Sequence, residues 1–164
     1  MRIIGLDPGL RHTGWGVIDK EGNRYTFVAA GVINPDTTLD LSQRLAILHK
    51  DLCTLFDEIR PDAAAVEETF VNKNPNSTLK LGQARGVVLC VPALYNIPVQ
   101  EYTPNHIKKM VVGAGHAEKD QVALMIRKIL KNVPEKIPAD ATDALAMALC
   151  YGFMLPVASF SRKV

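Results

Sequence analysis

Four carboxylates stand where chemistry would need them. Asp7 closes the apolar run Ile3-Ile4-Gly5-Leu6, and Glu67 closes Ala63-Ala64-Ala65-Val66. Asp140 and Asp143 lie in Ala-Asp-Ala-Thr-Asp-Ala-Leu-Ala, where a spacing of three puts both on one face of a helix, about one turn apart. Each acid alone has an ordinary explanation. Asp7 and Glu67 would be strand ends reaching solvent, and Asp-Pro-Gly is a common turn. Asp140 would cap a helix, with Asp143 set against the dipole. Taken together, two strand ends and a helix start can converge on one point of a layered α/β domain. Ionised carboxylates that close repel, each pair at ~4 Å costing about 1 kcal/mol in water and up to about 4 in a partly buried site. A hard dication relieves that repulsion, and oxygen-only donors select Mg²⁺ or Mn²⁺ over zinc. Two such ions roughly 3.5–4 Å apart are the usual device for in-line phosphodiester hydrolysis. One generates hydroxide from water, and the other stabilises the departing 3′ oxygen.

The charge pattern suits an anionic partner. Residues 1–68 carry seven Lys/Arg against eleven Asp/Glu. Residues 69–131 carry nine (Lys73, Lys80, Arg85, Lys108, Lys109, Lys119, Arg127, Lys128 and Lys131) against Glu101, Glu118 and Asp120. A basic middle beside an acidic first third would hold a phosphate backbone on one side of the molecule. The same lysines would also serve merely to solvate helix faces.

The elements that must position these groups follow from periodicity. Residues 2–7 read as a buried strand, Gly14 to Asp19 as a second after the Pro8-Gly9 turn, and Tyr25 to Ile33 as a third beyond Glu21-Gly22-Asn23, together an antiparallel meander. Leu41, Leu45, Leu48, Leu52, Leu55, Phe56 and Ile59 have helix spacing, with Asp40 or Ser42 as cap. A strand over Asp62–Glu67, a helix over Ser77–Tyr95 and a strand over Ile97–Glu101 follow. The remainder is mostly helical, the last helix beginning near Asp140 and running towards Leu155. The order βββαβαβ predicts one five-stranded mixed sheet with helices on both faces, the whole of 1–164 forming a single domain.

About half of the 164 residues are hydrophobic and 22% are charged, as in a soluble globular protein. Cys53, Cys90 and Cys150 lie far apart without CxxC spacing and read as buried, reduced thiols; neither a disulfide framework nor a zinc site is expected. The apolar start is too short for a signal peptide, and the stretch from Ala144 to Ala158 is interrupted by Gly152 and Pro156. A cytoplasmic location is expected.

The assembled segments resemble the bacterial RuvC crossover junction endodeoxyribonuclease family. Gly-Leu-Asp7-Pro-Gly-Leu-Arg-His-Thr-Gly14-Trp-Gly, Val-Glu67-Glu-Thr-Phe70, Leu-Lys80-Leu-Gly-Gln-Ala-Arg85-Gly, the stretch from Val111 to Lys119 and Ala-Asp140-Ala-Thr-Asp143-Ala-Leu-Ala occur in the family's order, between residue 1 and about 155. The resemblance implies an RNase H-like fold, a homodimer and Mg²⁺-dependent resolution of four-way (Holliday) DNA junctions by symmetric paired nicks, in homologous recombination and DNA repair. It implies two Mg²⁺ per active site, with Mn²⁺ able to substitute, and the RuvA–RuvB branch-migration complex as partner. Position by position, Asp7, Glu67, Asp140 and Asp143 fall on the family's catalytic, metal-holding acids. The resemblance selects Glu67 over Glu68, which the residues alone leave open; some relatives carry His in place of Asp140. Lys108 and Lys119 fall on positions tied to DNA binding, Lys119 also to catalysis. Phe70 matches an aromatic that meets bases near the crossover. With Asn72, Lys73, Lys80, Arg85 and Lys109 these complete the expected DNA-binding set. Gly82 and Gly86 would admit a second helix closely, either at a dimer seam or within the chain.

Two readings from other classes compete. An actin- or sugar-kinase-like ATP phosphotransferase also opens with Asp-x-Gly and a glycine-rich hairpin, although two lobes around a nucleotide cleft need a longer chain. A non-catalytic DNA-binding module would keep the basic middle and dispense with the metals.

Overall fold

In a computed structural model, residues 1–68 and 74–155 are described. Strands β1 (Arg2–Asp7), β2 (Thr13–Glu21) and β3 (Arg24–Ile33) form the antiparallel meander, turning at Gly22, whose φ of 59° is left-handed. Helix α1 (Leu41–Ile59) starts at Asp40, whose backbone N–H donates to Gln43 Oε1 at 3.1 Å, and stops at Arg60 in the left-handed conformation. β4 (Ala63–Glu67) then enters the sheet parallel to β1, and α2 (Pro75–Leu94) leads to β5 (Val99–Tyr102), parallel to β4. Three helices close the described chain: α3 (Pro104–Val112), α4 (Lys119–Ile129) and α5 (Ala139–Met154).

The sheet order is β3-β2-β1-β4-β5, with a core on each face. Ile4, Leu6, Ala64 and Val66 pack with Leu48, Leu52 and Phe56 of α1 and Val88 of α2. Ile3, Ile18 and Ala65 pack on the other face with α3, α4 and the fully buried centre of α5. Successive residues of a strand face opposite ways, so this division decides where the acids point. Leu6 and Val66 face α1 and α2; Asp7 and Glu67 therefore face α5.

Glycine sets how closely α5 approaches. A Cβ on Gly5 would lie 1.9 Å from the Ala144 carbonyl oxygen, and one on Gly14 would lie 2.1 Å from that of Asp140. Buried Ala141, Ala144 and Ala148 supply the matching small surface on the helix. The N-terminal turn of α5 thus rests on the end of the sheet where β1 stops.

Of the three thiols expected to be buried, Cys150 is, Cys53 is only half-buried and Cys90 is exposed. The reason lies in α2. Its outward face, with Leu79 and Leu94 both over 60% exposed, is as apolar as its inward one, so hydrophobic neighbours in sequence do not mean burial there.

Candidate active site

The parallel register of β1 and β4 runs from Ile3↔Ala63 to Leu6↔Val66, so the next pair in the ladder is Asp7 beside Glu67. Adjacent strands are about 4.8 Å apart, and both side chains face the same way. Glu68 falls on the opposite face and its backbone N–H pairs with Tyr102 O at 2.8 Å. Strand alternation thereby turns Glu67, and not Glu68, towards the α5 face.

Helix α5 supplies the third wall. Pro138 is its N-cap, and the Thr142 N–H donates to the Pro138 carbonyl at 3.0 Å. Asp140 is thus one residue inside the first turn and makes no capping bond, so the capping explanation does not hold. Asp143, one turn on, enters a cleft of about 260 Å³ lined by Asp7, Glu67, Lys108 and Lys119 over Ile107, Val122, Ala146 and Met147. Asp140 does not line that cleft, although its charge still acts on Asp7.

The electrostatics are those of crowded anions. Burial, then the charges of Glu67 and Asp143, push the Asp7 carboxyl up to about 8. Burial also raises Glu67, against the favourable pull of Lys119 and Lys108. Lys119 Nζ donates to Asp143 Oδ2 at 2.7 Å, and this bond raises the lysine. Lys119 is the first residue of α4, held there by a Glu118 N–H bond to Gln121 Oε1 at 2.9 Å.

This donor set fits a hard dication: the donors are all oxygen, and burial beside neighbouring carboxylates pushes Asp7 up, a penalty that a bound cation would relieve. Among the described residues, no three His, Cys, Asp or Glu side chains already surround one point as ligands. Asp143 turns to Lys119, and Asp7 and Glu67 are close enough to share a proton. The cleft combines carboxylates on one wall with lysines on another, a combination suited to holding divalent cations and a phosphate together.

The other expected DNA contacts divide. Lys108 lines the cleft, while Lys80 and Lys109 are exposed on α2 and α3. Arg85 is engaged elsewhere: its guanidinium pairs with Glu101 of β5, tying α2 to the sheet edge. Phe70, Asn72 and Lys73 lie outside the described residues. Sequence reasoning passed over Gly5 and Gly14 as spacers under α5. Their signal was a pair of glycines flanking Asp7 on two strands that must be neighbours in any meander.

Known proteins resemble this chain over most of its length. The family model for crossover junction endodeoxyribonuclease RuvC matches residues 3–151. The chain is 53% identical over 151 residues to the crossover junction endodeoxyribonuclease RuvC of Rhodopseudomonas palustris strain BisA53, covering 92% of this chain and 86% of the relative. To that of Afipia carboxidovorans it is 52% identical over 164 residues, covering 100% and 95%. Among solved structures, Thermus thermophilus RuvC in complex with a Holliday junction substrate superposes with a TM-score of 0.86 at 34% identity, covering 93% of each chain. The yeast mitochondrial Holliday junction resolvase Ydc2 shares the fold, with a TM-score of 0.65 at 12% identity over 92% of this chain and 78% of that one.

Proposed function

The chain belongs to the RuvC family of crossover junction endodeoxyribonucleases, and from that premise we propose how it resolves four-way DNA junctions in recombination and repair. Asp7, Glu67 and Asp143, with Asp140 beside them, hold the divalent ions that this family of metal-dependent nucleases requires. The ions are Mg²⁺, two per site, with Mn²⁺ able to substitute. When bound, they supply a hydroxide nucleophile and stabilise the leaving 3′ oxygen. The protein's own contribution is positional. β1 and β4 set two carboxylates side by side, α5 brings the others from above, and Lys119 and Lys108 hold the scissile phosphate against them. Lys80 and Lys109 extend the contact along the backbone, and Phe70, Asn72 and Lys73 meet the crossover. The whole chain acts as one nuclease domain in the cytoplasm; no helix among the described residues is long and apolar enough to cross a membrane.

The observation that carries this reading is the register that sets Asp7 beside Glu67, on the sheet face towards Asp143. Its test is nicking of a synthetic four-way junction in Mg²⁺, with binding measured in Ca²⁺. Asp7→Asn should lower nicking at least about 10³-fold and leave binding within two- to threefold of the parent. Undiminished nicking would remove Asp7 from its role. The relatives named above are crossover junction endodeoxyribonucleases, which favours the nuclease over the phosphotransferase reading; ATP binding by calorimetry would restore the latter.

Symmetric nicks need two sites in opposite orientation, which a two-fold dimer provides. We propose that α2 is its seam. Among the described residues, Gly82 and Gly86 have nothing within 4 Å of where a Cβ would sit, so no described element packs on them. They lie on the outward face with exposed Leu79, Cys90 and Leu94. Gly86→Trp should leave the fold intact and yield monomers by sedimentation; a dimer unchanged by it would move the seam elsewhere. The RuvA–RuvB complex is the proposed partner in the cell.

A further inference from the structure

The loop between β1 and β2 is more firmly built than a five-residue turn requires. It leaves the sheet at Asp7 and returns at Thr13, closed by the Asp7↔Gly14 pair. The fully buried Thr13 hydroxyl donates to Gly9 O at 2.6 Å and accepts from the Gly9 N–H at 3.4 Å. From α1, Arg44 donates to the Leu10 carbonyl at 2.9 Å, and Leu10 itself is buried in the α1 core. His12 Nδ1 lies 2.6 Å from Asn34 Oδ1 beyond the end of β3. Gly9 packs so closely that a Cβ would meet His12 O at 2.2 Å.

All this bracing presents very little to solvent. From Pro8 to Thr13 only Arg11 and His12 are exposed, and His12 is occupied by Asn34. None of the described residues makes an ion pair or hydrogen bond with the Arg11 side chain. The result is a free guanidinium on a pre-ordered loop, four residues from Asp7 and three from Gly14, the residue against the Asp140 backbone. The loop spans from β1 towards β2, away from β4; Lys108 and Lys119 come from α3 and α4, beyond the other side of the acids. Along the sheet, the β1–β2 loop thus lies on the β2 side of Asp7, whereas Glu67 lies on its β4 side.

We propose that Arg11 binds a backbone phosphate of the cleaved strand, adjacent to the scissile one and on the side opposite Lys108 and Lys119. The inference rests on the junction-nuclease reading and adds a binding residue to it. A guanidinium held on a rigid loop grips a phosphate through paired N–H donors at little ordering cost. With cations at both places, the strand is fixed at two points, which sets the register of the phosphate between them.

The test is the salt dependence of junction binding in Ca²⁺ for the parent, Arg11→Gln, Arg11→Lys and Arg24→Gln. Arg24 is exposed at the opposite end of the sheet and controls for charge alone. Each phosphate contact contributes about 0.9 to the slope of log K against log salt. Arg11→Gln should lower that slope by about 0.9 and weaken binding about five- to tenfold at 0.1 M salt, with unchanged thermal stability. Arg11→Lys should recover the slope, and Arg24→Gln should not alter it. If the slope of Arg11→Gln matches the parent's or that of Arg24→Gln, the inference is overturned. Should the parent itself neither bind nor nick the junction, the nuclease reading fails first, and the inference falls with it.

Discussion

The Lys119 ammonium donates to the Asp143 carboxylate at 2.7 Å, joining the first turn of α4 to the second turn of α5 across 24 positions of sequence. It pairs a cation with a carboxylate that is expected to hold a divalent ion. An ammonium and a dication compete for the same oxygen, so Lys119 has two opposed effects. It weakens metal binding in the DNA-free protein and, once a phosphate enters, has a better partner to turn to. The lysine is 72% exposed, so the pair itself contributes little. Lys119→Ala should therefore bind Mn²⁺ about two- to fivefold more tightly by calorimetry, while junction nicking falls at least about tenfold. Weaker Mn²⁺ binding in the variant would show that the ammonium orders the site rather than competing for it.

Asp7 makes the metal-free protein sensitive to pH in a definite direction. Its carboxyl titrates near 3.8 unperturbed and is pushed up to about 8 in the fold by burial and by its acidic neighbours. The folded state therefore holds a proton that the unfolded state has released across that window. Stability is lost as pH rises from about 4 to about 8, at no more than about 1.4 kcal/mol per pH unit. Glu67, also raised, adds to the same trend. Thermal melts of chelator-treated protein should fall between pH 5 and pH 8, and Mg²⁺ should raise the pH 8 melt far more than the pH 5 one. Asp7→Asn should flatten the profile. A metal-free protein equally stable at both pH values would mean that the carboxylates do not crowd one another in solution.

Much of this arrangement was readable from residue patterns. Helix α1 has the bounds that its leucine spacing indicates, and the antiparallel meander follows from three short apolar runs with tight turns. The four acids stand out because charge beside apolar strand residues needs a reason. What pattern cannot convey is pairing between distant segments. The choice of Glu67 over Glu68 depends on which face of β4 meets α5, and an Ala-Ala-Ala-Val strand has two equally apolar faces. The bond from Lys119 to Asp143, the spacing role of Gly5 and Gly14, and the engagement of Arg85 by Glu101 likewise arise only when elements pack. Asp140 reads as a helix cap until Pro138 is seen to be the N-cap and Ala139 the first helical residue.

Arg85 tests the difference between a basic residue and a free one. Expected on the DNA surface, it instead pairs with Glu101, and its side chain is only 25% exposed. Arg85→Ala should cost about 1 kcal/mol, lowering the melting temperature by about 2–4 °C. The salt slope of junction binding should stay as it is. A slope reduced by about 0.9 would return Arg85 to the DNA-binding set.

Two pairs of glycines should respond to alanine in opposite ways. At Gly5 and Gly14 a methyl group meets helix backbone at 1.9 and 2.1 Å, and backbone cannot rotate aside as a side chain can. Gly5→Ala must push α5 off the sheet, costing about 3 kcal/mol. Because α5 carries Asp140 and Asp143, the same shift should weaken Mn²⁺ binding at least about tenfold even at temperatures where the variant is fully folded. Gly82→Ala and Gly86→Ala meet nothing within 4 Å among the described residues. There alanine removes the backbone freedom of a helical glycine, a gain of about 0.5–1 kcal/mol per site for the isolated fold. If α2 seats against its twin, however, the added methyls sit in the seam and the dimer should dissociate at higher concentration. Denaturant melts at two protein concentrations, read beside Mn²⁺ titrations, separate these effects. A Gly5→Ala protein with parental Mn²⁺ affinity would mean that α5 does not depend on that contact to hold its acids in place.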